Sequence, residues 1–76
     1  MKDFVEFVVK RLVDNPDEVR VNSIDGETTT VIELHVAQPD MGKVLGKQGK
    51  NVRALRQLLT AAAAKRGKRA TLEVLE

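Results

Sequence analysis

The chain contains two glycines separated by two polar residues, in the segment Gly46-Lys47-Gln48-Gly49. An apolar helical turn ends just before this segment at Leu45, and a long amphipathic segment begins just after it near Lys50. A residue without a Cβ adopts backbone angles closed to other residues and lets another molecule approach the main chain closely. The segment therefore predicts a tight loop between two helices that is open to a ligand.

Basic side chains surround this loop and favour an anionic ligand. Lys43, Lys47, Lys50 and Arg53 lie within a few residues of the two glycines. A helix start adds unpaired N–H groups and a partial positive charge. Residues 1–40 carry four basic and nine acidic side chains, a net charge of −5, whereas residues 41–76 carry nine and two, a net charge of +7. This division favours a polyanion as the partner of the second half.

The size and composition of the chain limit what else it contains. Its 76 residues fit one small domain, 1–76, with a single core. It has no cysteine, so a disulfide or thiolate metal site is excluded, and a reducing, cytoplasmic compartment is the expectation. No apolar run reaches the roughly 18 residues that a membrane span needs, and the N-terminus is unlike a secretory signal.

The hydrophobic pattern predicts six elements in the order helix, strand, strand, helix, helix, strand. In chain order, these elements cover Lys2 to Asp14, Val19 to Ile24, Thr28 to Val36, Met41 to Leu45, Lys50 to about Arg66, and Ala70 to Leu75. Asp40 is a plausible N-cap for the short helix, and Gly67 suits the C-terminal cap of the long one. The prediction is an α+β fold in which three helices cover one face of a three-stranded sheet.

The segment Asp25-Gly26 is typical of a two-residue hairpin turn. Such a turn pairs Ile24 with Glu27 and Val21 with Thr30. This register gives the two strands a common inner face, as expected when one side of a sheet is buried. The predicted inner residues are Val19, Val21, Thr30, Ile32, Leu34 and Val36.

Both long helices have apolar stripes. The arc of the first helix contains Phe4, Val5, Val8, Val9 and Leu12, and it is widened by Phe7 and Val13. We interpret the widened arc as the mark of a deeply buried helix, with a self-association surface as the alternative. The predicted inner stripe of the last helix contains Val52, Leu55, Leu59, Ala62 and Ala63.

The segment Val44-Leu45-Gly46-Lys47-Gln48-Gly49-Lys50 resembles the GXXG loop of a KH domain, in which an aliphatic residue precedes the loop and helices flank it. The element order is similar to the type II arrangement of bacterial KH domains. The stretch from Asp40 to Asn51 especially resembles the small stand-alone bacterial KH proteins of the KhpA type. The resemblance extends over essentially the whole chain.

This resemblance implies a site that clamps about four nucleotides of single-stranded RNA. By position, Gly46 and Gly49 would let the sugar–phosphate chain touch the main chain, while Lys47 and Gln48 would reach phosphate oxygens. Long-range attraction would come from Lys43, Lys50 and Arg53. The apolar floor under the bases would be Val36, Val44, Leu45 and Val52, with backbone groups of the second strand bonding base edges. The resemblance also implies an RNA chaperone or post-transcriptional regulator that forms a homodimer or pairs with a larger KH protein.

Other interpretations remain beside this one. The two glycines alone are also consistent with a simple interhelical turn, and the basic side chains with a solvated surface. The only aromatic residues are Phe4 and Phe7, so the aromatic base-stacking platforms of other RNA-binding folds are absent. No catalytic set, cofactor motif or metal cluster can be assembled around the single His35, so we expect a non-enzyme. A protein-interaction module and a single-stranded DNA binder are the alternative functions.

Overall fold

A computed structural model describes all of residues 1–76, which form six regular elements in the predicted order. The helices are α1 (Lys2–Leu12), α2 (Met41–Leu45) and α3 (Lys50–Ala64). The strands are β1 (Arg20–Asp25), β2 (Thr29–His35) and β3 (Arg69–Leu75). Short 3-10 turns lie at Pro16–Glu18, Gln38–Asp40 and Lys47–Gly49.

The strand order in the sheet is β1-β2-β3, with β1 antiparallel and β3 parallel to the central β2. The core lies between the inner sheet face and the helices, and Ile32 and Leu34 of β2 are completely buried in it. All six residues predicted for the inner face of the hairpin are buried. The α+β prediction, with the helices on one face of the sheet, is therefore confirmed.

The predicted hairpin register is wrong by four residues. Val21 pairs with Leu34 rather than with Thr30, and Ile24 pairs with Val31 rather than with Glu27. The turn lies beyond Gly26, whose N–H donates to the carbonyl of Thr29 at 2.8 Å. A type I′ turn at Asp25-Gly26 would need positive φ at both central residues, and Gly26 is not among the positive-φ residues.

The observed register pairs the whole of β1, residues 20–25, with residues 30–35 of the central strand. The predicted register would have left residues 32–35 of the central strand without a partner in β1. The hydroxyl of the buried Thr30 also donates to the Asp25 carboxylate at 2.9 Å across the pair. Because four is an even shift, every side chain keeps its face, and the buried set is unchanged.

Helix α1 is not the deeply buried helix that its wide apolar arc suggested. Val5 and Val9 are completely buried, but Phe4 is 43% and Phe7 is 58% exposed. The Arg11 guanidinium lies 4.6 Å from the centroid of the Phe7 ring, a cation–π contact on the surface. The deep-burial interpretation is therefore wrong, and an apolar patch is left on the outside of this helix.

Helix α3 buries Val52, Leu55, Leu59 and Ala63, as its pattern predicts, whereas Ala62 is exposed. Its end has a Schellman motif, because the N–H of Gly67 bonds the Ala64 carbonyl and the N–H of Lys68 bonds the Ala63 carbonyl, both at 3.0 Å. Gly67 has a φ of 71°, so the predicted cap is confirmed. None of the helices has the length and apolarity needed to cross a membrane.

Candidate functional site

The loop between α2 and α3 has a backbone that only its particular residues allow. Gly46 has φ 76° and ψ 171°, a region essentially restricted to glycine. Gln48 (φ 57°, ψ 27°) and Gly49 (φ 75°, ψ 16°) are both left-handed. The Gly49 N–H returns to the Gly46 carbonyl at 3.0 Å, which closes the loop into one tight turn. Lys47 and Gln48 are exposed at its tip.

The two glycines of the loop have different surroundings. A Cβ on Gly46 would lie 2.7 Å from Cγ and 2.8 Å from the backbone nitrogen of Asn51. The Asn51 amide nitrogen also donates to the Lys43 carbonyl at 2.8 Å, which joins the end of α2 to the start of α3. At Gly49 a Cβ would meet nothing closer than a Val52 methyl group at 3.9 Å. Gly46 therefore serves helix packing within the chain, and the space at the Cα of Gly49 is open.

Arg53 holds the loop from the first turn of α3. Its Nη2 donates to the Gln48 carbonyl at 2.8 Å, and its Nε donates to the Gly49 carbonyl at 3.4 Å. These bonds fix the tip of the loop against α3 while the guanidinium stays exposed. The sequence pattern predicted a distant charge at this position, and the structure adds this contact with the loop.

The lysines around the loop differ in whether they have a partner. Lys43 forms an ion pair with Asp14, which follows α1. Lys47 and Lys50 are exposed and form no ion pair or side-chain hydrogen bond within the chain. Lys47, Lys50 and Arg53 therefore carry positive charge beside the loop that no acid compensates, and the two lysines are also free of hydrogen bonds within the chain.

The four residues predicted as an apolar floor divide into core and surface. Val36, Val44 and Val52 are buried in the main hydrophobic cluster, and only Leu45 has a substantially exposed side chain, at 37%. The first three therefore pack the domain beneath the loop. Leu45 is the one that offers an apolar surface to a ligand.

The prediction that backbone groups of the second strand bond a ligand is wrong, because β2 is central. Its backbone pairs with β1 on one side and with β3 on the other, and past its end the Val36 N–H donates to the Leu75 carbonyl. Strand β3 is an edge strand, and α3 packs against it. The free backbone edge nearest the loop helix therefore belongs to β3.

A shallow groove separates α3 from this free edge. It is lined by Arg56, Leu59, Thr60, Ala70, Thr71 and Leu72. Arg56 donates from Nη2 to the Leu72 carbonyl at 3.3 Å, which shows that this carbonyl points away from β2. Because backbone groups alternate between the two sides of a strand, those of Ala70 and Val74 also face the open edge. The strand order, which the sequence alone leaves undetermined, is what reveals this groove.

Asp40 is buried and does not cap α2 with its side chain, contrary to the prediction. Its carboxylate accepts hydrogen bonds from the backbone N–H groups of Asp14 and Asn15, at 3.2 and 3.0 Å, and from the Asn15 amide at 3.2 Å. Burial opposes ionisation, but these three bonds and the charge of Lys43 outweigh it and lower the pKa of Asp40. The carboxylate thereby fixes the start of α2 against the end of α1.

The remaining ionisable residues do not form a second centre. His35 lies on the outer face of the sheet, and no group of three or more His, Cys, Asp or Glu side chains is placed to hold a metal ion.

A family model described as the KH domain of KhpA/KhpB matches residues 2–74. The chain belongs to the KhpA/KhpB family of KH domains. The resemblance that the loop sequence indicated is confirmed, and the type II-like order of elements agrees with it.

Several relatives of this family are similar to the chain over its full length, and each is named RNA-binding protein KhpA. That of Aquifex aeolicus (strain VF5) is 58% identical over 76 residues, with 100% of this chain and 96% of the relative covered. That of Caldanaerobacter subterraneus subsp. tengcongensis is 51% identical, with 99% and 100% covered. That of Borreliella burgdorferi is 50% identical, with 97% and 90% covered. No solved structure matches the chain significantly.

Proposed function

We propose that this protein binds single-stranded RNA, clamps about four nucleotides at the loop Gly46–Gly49, and acts without chemistry of its own. Membership of the family and the names of the relatives support RNA as the ligand. The observation that carries the proposal is the exposed loop tip, where Lys47 has no partner in the chain and Gly49 leaves the main chain accessible.

In this proposal the bound RNA runs from the loop along α3. Arg53 and Arg56 lie three residues apart on α3, so they share the side of the helix that faces the β3 edge. Phosphates at the loop would meet Lys47 and Lys50, and bases would lie towards Leu45 and the α3–β3 groove. The open backbone groups of β3 then replace those of β2 as partners for base edges.

The binding is electrostatic and backbone-directed, because the chain has no aromatic platform at the loop. Each phosphate contact to a single strand contributes roughly 0.7 to the slope of log affinity against log salt. Affinity therefore falls steeply between low and high salt, and base selectivity is weak.

The variant Lys47→Asp/Gln48→Asp tests the loop directly. Aspartate tolerates left-handed backbone better than most residues, so this exposed change leaves the fold intact while it repels phosphate. We expect loss of affinity for a short single-stranded RNA, measured by fluorescence anisotropy, with little change in the thermal unfolding midpoint.

A matched control is Lys2→Asp/Asn22→Asp, which changes the net charge by the same amount at exposed positions away from the loop. It should weaken RNA binding only slightly. If the loop variant keeps its fold and binds RNA as well as this control, the loop is not the clamp.

The same assay also tests the two alternative functions. Single-stranded DNA would bind with a similar slope, because a backbone clamp distinguishes it poorly from RNA, and a direct comparison of the two strands decides between them. A module whose only ligand is another protein would leave RNA unbound at every salt concentration.

We also propose a second KH domain as a protein partner, either another copy of this chain or a larger KH protein. The exposed Phe4 and Phe7 of α1, with the exposed Leu58 of α3, provide the apolar surface for it. Sedimentation velocity of the unaltered chain and of Phe7→Gln tests pairing with another copy. Only the unaltered chain should self-associate as its concentration rises.

The proposed cellular role is that of a cytoplasmic RNA chaperone or post-transcriptional regulator. The absence of cysteine fits a reducing compartment. Loose base selectivity suits a protein that acts on many transcripts, and crosslinking followed by sequencing of the bound RNA tests that role.

A further inference from the structure

The basic side chains of the second half differ in whether they have a partner within the chain. Lys43 pairs with Asp14, Arg53 is bonded to loop carbonyls, and Arg56 is bonded to the Leu72 carbonyl. The others form no side-chain hydrogen bond or ion pair within the chain; they are Lys47, Lys50, Lys65, Arg66, Lys68 and Arg69. The cations with no partner in the chain therefore lie at the two opposite ends of α3, and Arg53 and Arg56, whose carbonyl partners are neutral, carry positive charge between them.

The four cations at the far end of α3 lie on two sides of the helix. Lys65 and Arg66 line a groove towards Met1 and Phe4 of the N-terminal helix. Lys68 and Arg69 follow the Gly67 turn and directly precede Ala70, the first β3 residue to line the α3–β3 groove. Of these four cations, Lys68 and Arg69 therefore stand next to the end of the α3–β3 groove that Ala70 lines.

The helix dipole accounts for only part of this cluster. A cation next to the C-terminus of a helix is favourable, and Lys65 and Arg66 directly follow Ala64, the last residue of α3. Lys68 and Arg69 lie beyond the cap, where the dipole effect has fallen off. Like charges this close together repel one another, and a polyanion would relieve that repulsion.

We propose that Lys68 and Arg69 form a second phosphate-binding site, which holds the same RNA strand beyond the nucleotides clamped at the loop. This inference rests on the proposed function. The 15 residues of α3 separate the two sites by about 22 Å at 1.5 Å per residue. At about 3.4 Å per stacked nucleotide, a strand needs roughly six or seven nucleotides to reach both sites, so a tetranucleotide reaches only one.

Two variants with equal charge changes test this assignment, Lys68→Gln/Arg69→Gln and the matched control Lys65→Gln/Arg66→Gln. Oligouridylates of four and ten nucleotides are titrated by fluorescence anisotropy at several salt concentrations. The first variant should weaken binding of the ten-nucleotide strand about tenfold, lower its salt slope by roughly 1.4 and leave tetranucleotide affinity within about twofold. The control should change the affinity for either strand less than about threefold.

Equal losses in the two variants would overturn the proposal, because the cluster would then act only through its overall field. A loss shared equally by the short and long strands would also overturn it. Failure of the unaltered protein to bind either strand is a different result, which rejects the proposed function itself. Circular dichroism at the start of each titration checks that both variants are folded.

Discussion

At the scale of single residues, Gly46 and Gly49 meet different physical requirements. Gly46 combines a glycine-only backbone conformation with a close approach to Asn51, whereas Gly49 needs only a left-handed φ. A pattern of two glycines predicts the loop but does not distinguish these requirements. The difference depends on a side chain that reaches the loop from the next helix, and local spacing does not specify that contact.

Because the two glycines have different surroundings, substitution by alanine should lower the free energy of unfolding by different amounts at the two positions. Gly49→Ala should cost about 1–2 kcal/mol, the strain of a left-handed backbone with a Cβ. Gly46→Ala should cost a comparable backbone strain and about 1–3 kcal/mol more, because the new methyl group would overlap Asn51. Urea unfolding of the two variants measures both values. Equal destabilisation would contradict the packing role assigned to Gly46.

At the scale of elements, the positions of α2 and the loop depend on a contact between distant parts of the chain. Asp40 accepts hydrogen bonds from residues 25 and 26 positions earlier, which join the end of α1 to the start of α2. The sequence indicated a local helix cap because aspartate before a helix commonly has that role. The actual partners could not be identified without knowing where α1 ends in space.

The Asp40 contact predicts a specific dependence of stability on pH. The pKa of Asp40 is lower in the folded state than its ordinary value of about 3.9. Its contribution is therefore present above that value and is lost as the pH falls through the lower folded pKa. Asp40→Asn should lower the thermal midpoint at pH 7, and the difference from the unaltered chain should shrink below about pH 4.

Comparison of the thermal midpoints of Asp40→Asn and the unaltered chain isolates the contribution of the Asp40 charge to stability. The Lys10 side chain, by its hydrogen bond and its charge, lowers the pKa of Glu6, but this pair is present in both proteins. A difference in midpoint that stays constant from pH 7 to pH 2.5 would show that the charge of Asp40 does not hold α2.

The hairpin shows which features of a strand pair can be predicted from sequence. Alternation of apolar residues assigns each side chain to a face, and the buried set of β1 and β2 follows from it. A shift of four residues preserves that alternation, so the faces cannot select the register. Turn geometry and the pairing of the complete β1 select it instead, and the Asp-Gly signal alone indicated the wrong turn.

At the scale of the whole molecule, positive charge is concentrated in the elements of the second half of the chain. The net charge of −5 lies in residues 1–40 and that of +7 in residues 41–76, which contain the loop, α3 and β3. This excess of positive charge favours a polyanion at the loop and the α3–β3 groove. Counting charges along the sequence predicted this basic region. The proposed path of the RNA within it depends on the order of the strands in the sheet.

An NMR titration of the ¹⁵N-labelled protein with a ten-nucleotide oligouridylate would locate the bound RNA on the fold. We expect the largest amide shift changes at Gly46–Arg53 and along β3, and we expect them to diminish as salt is added. Changes confined to the exposed apolar surface of α1, with the loop amides unmoved at saturating RNA, would contradict the proposed site.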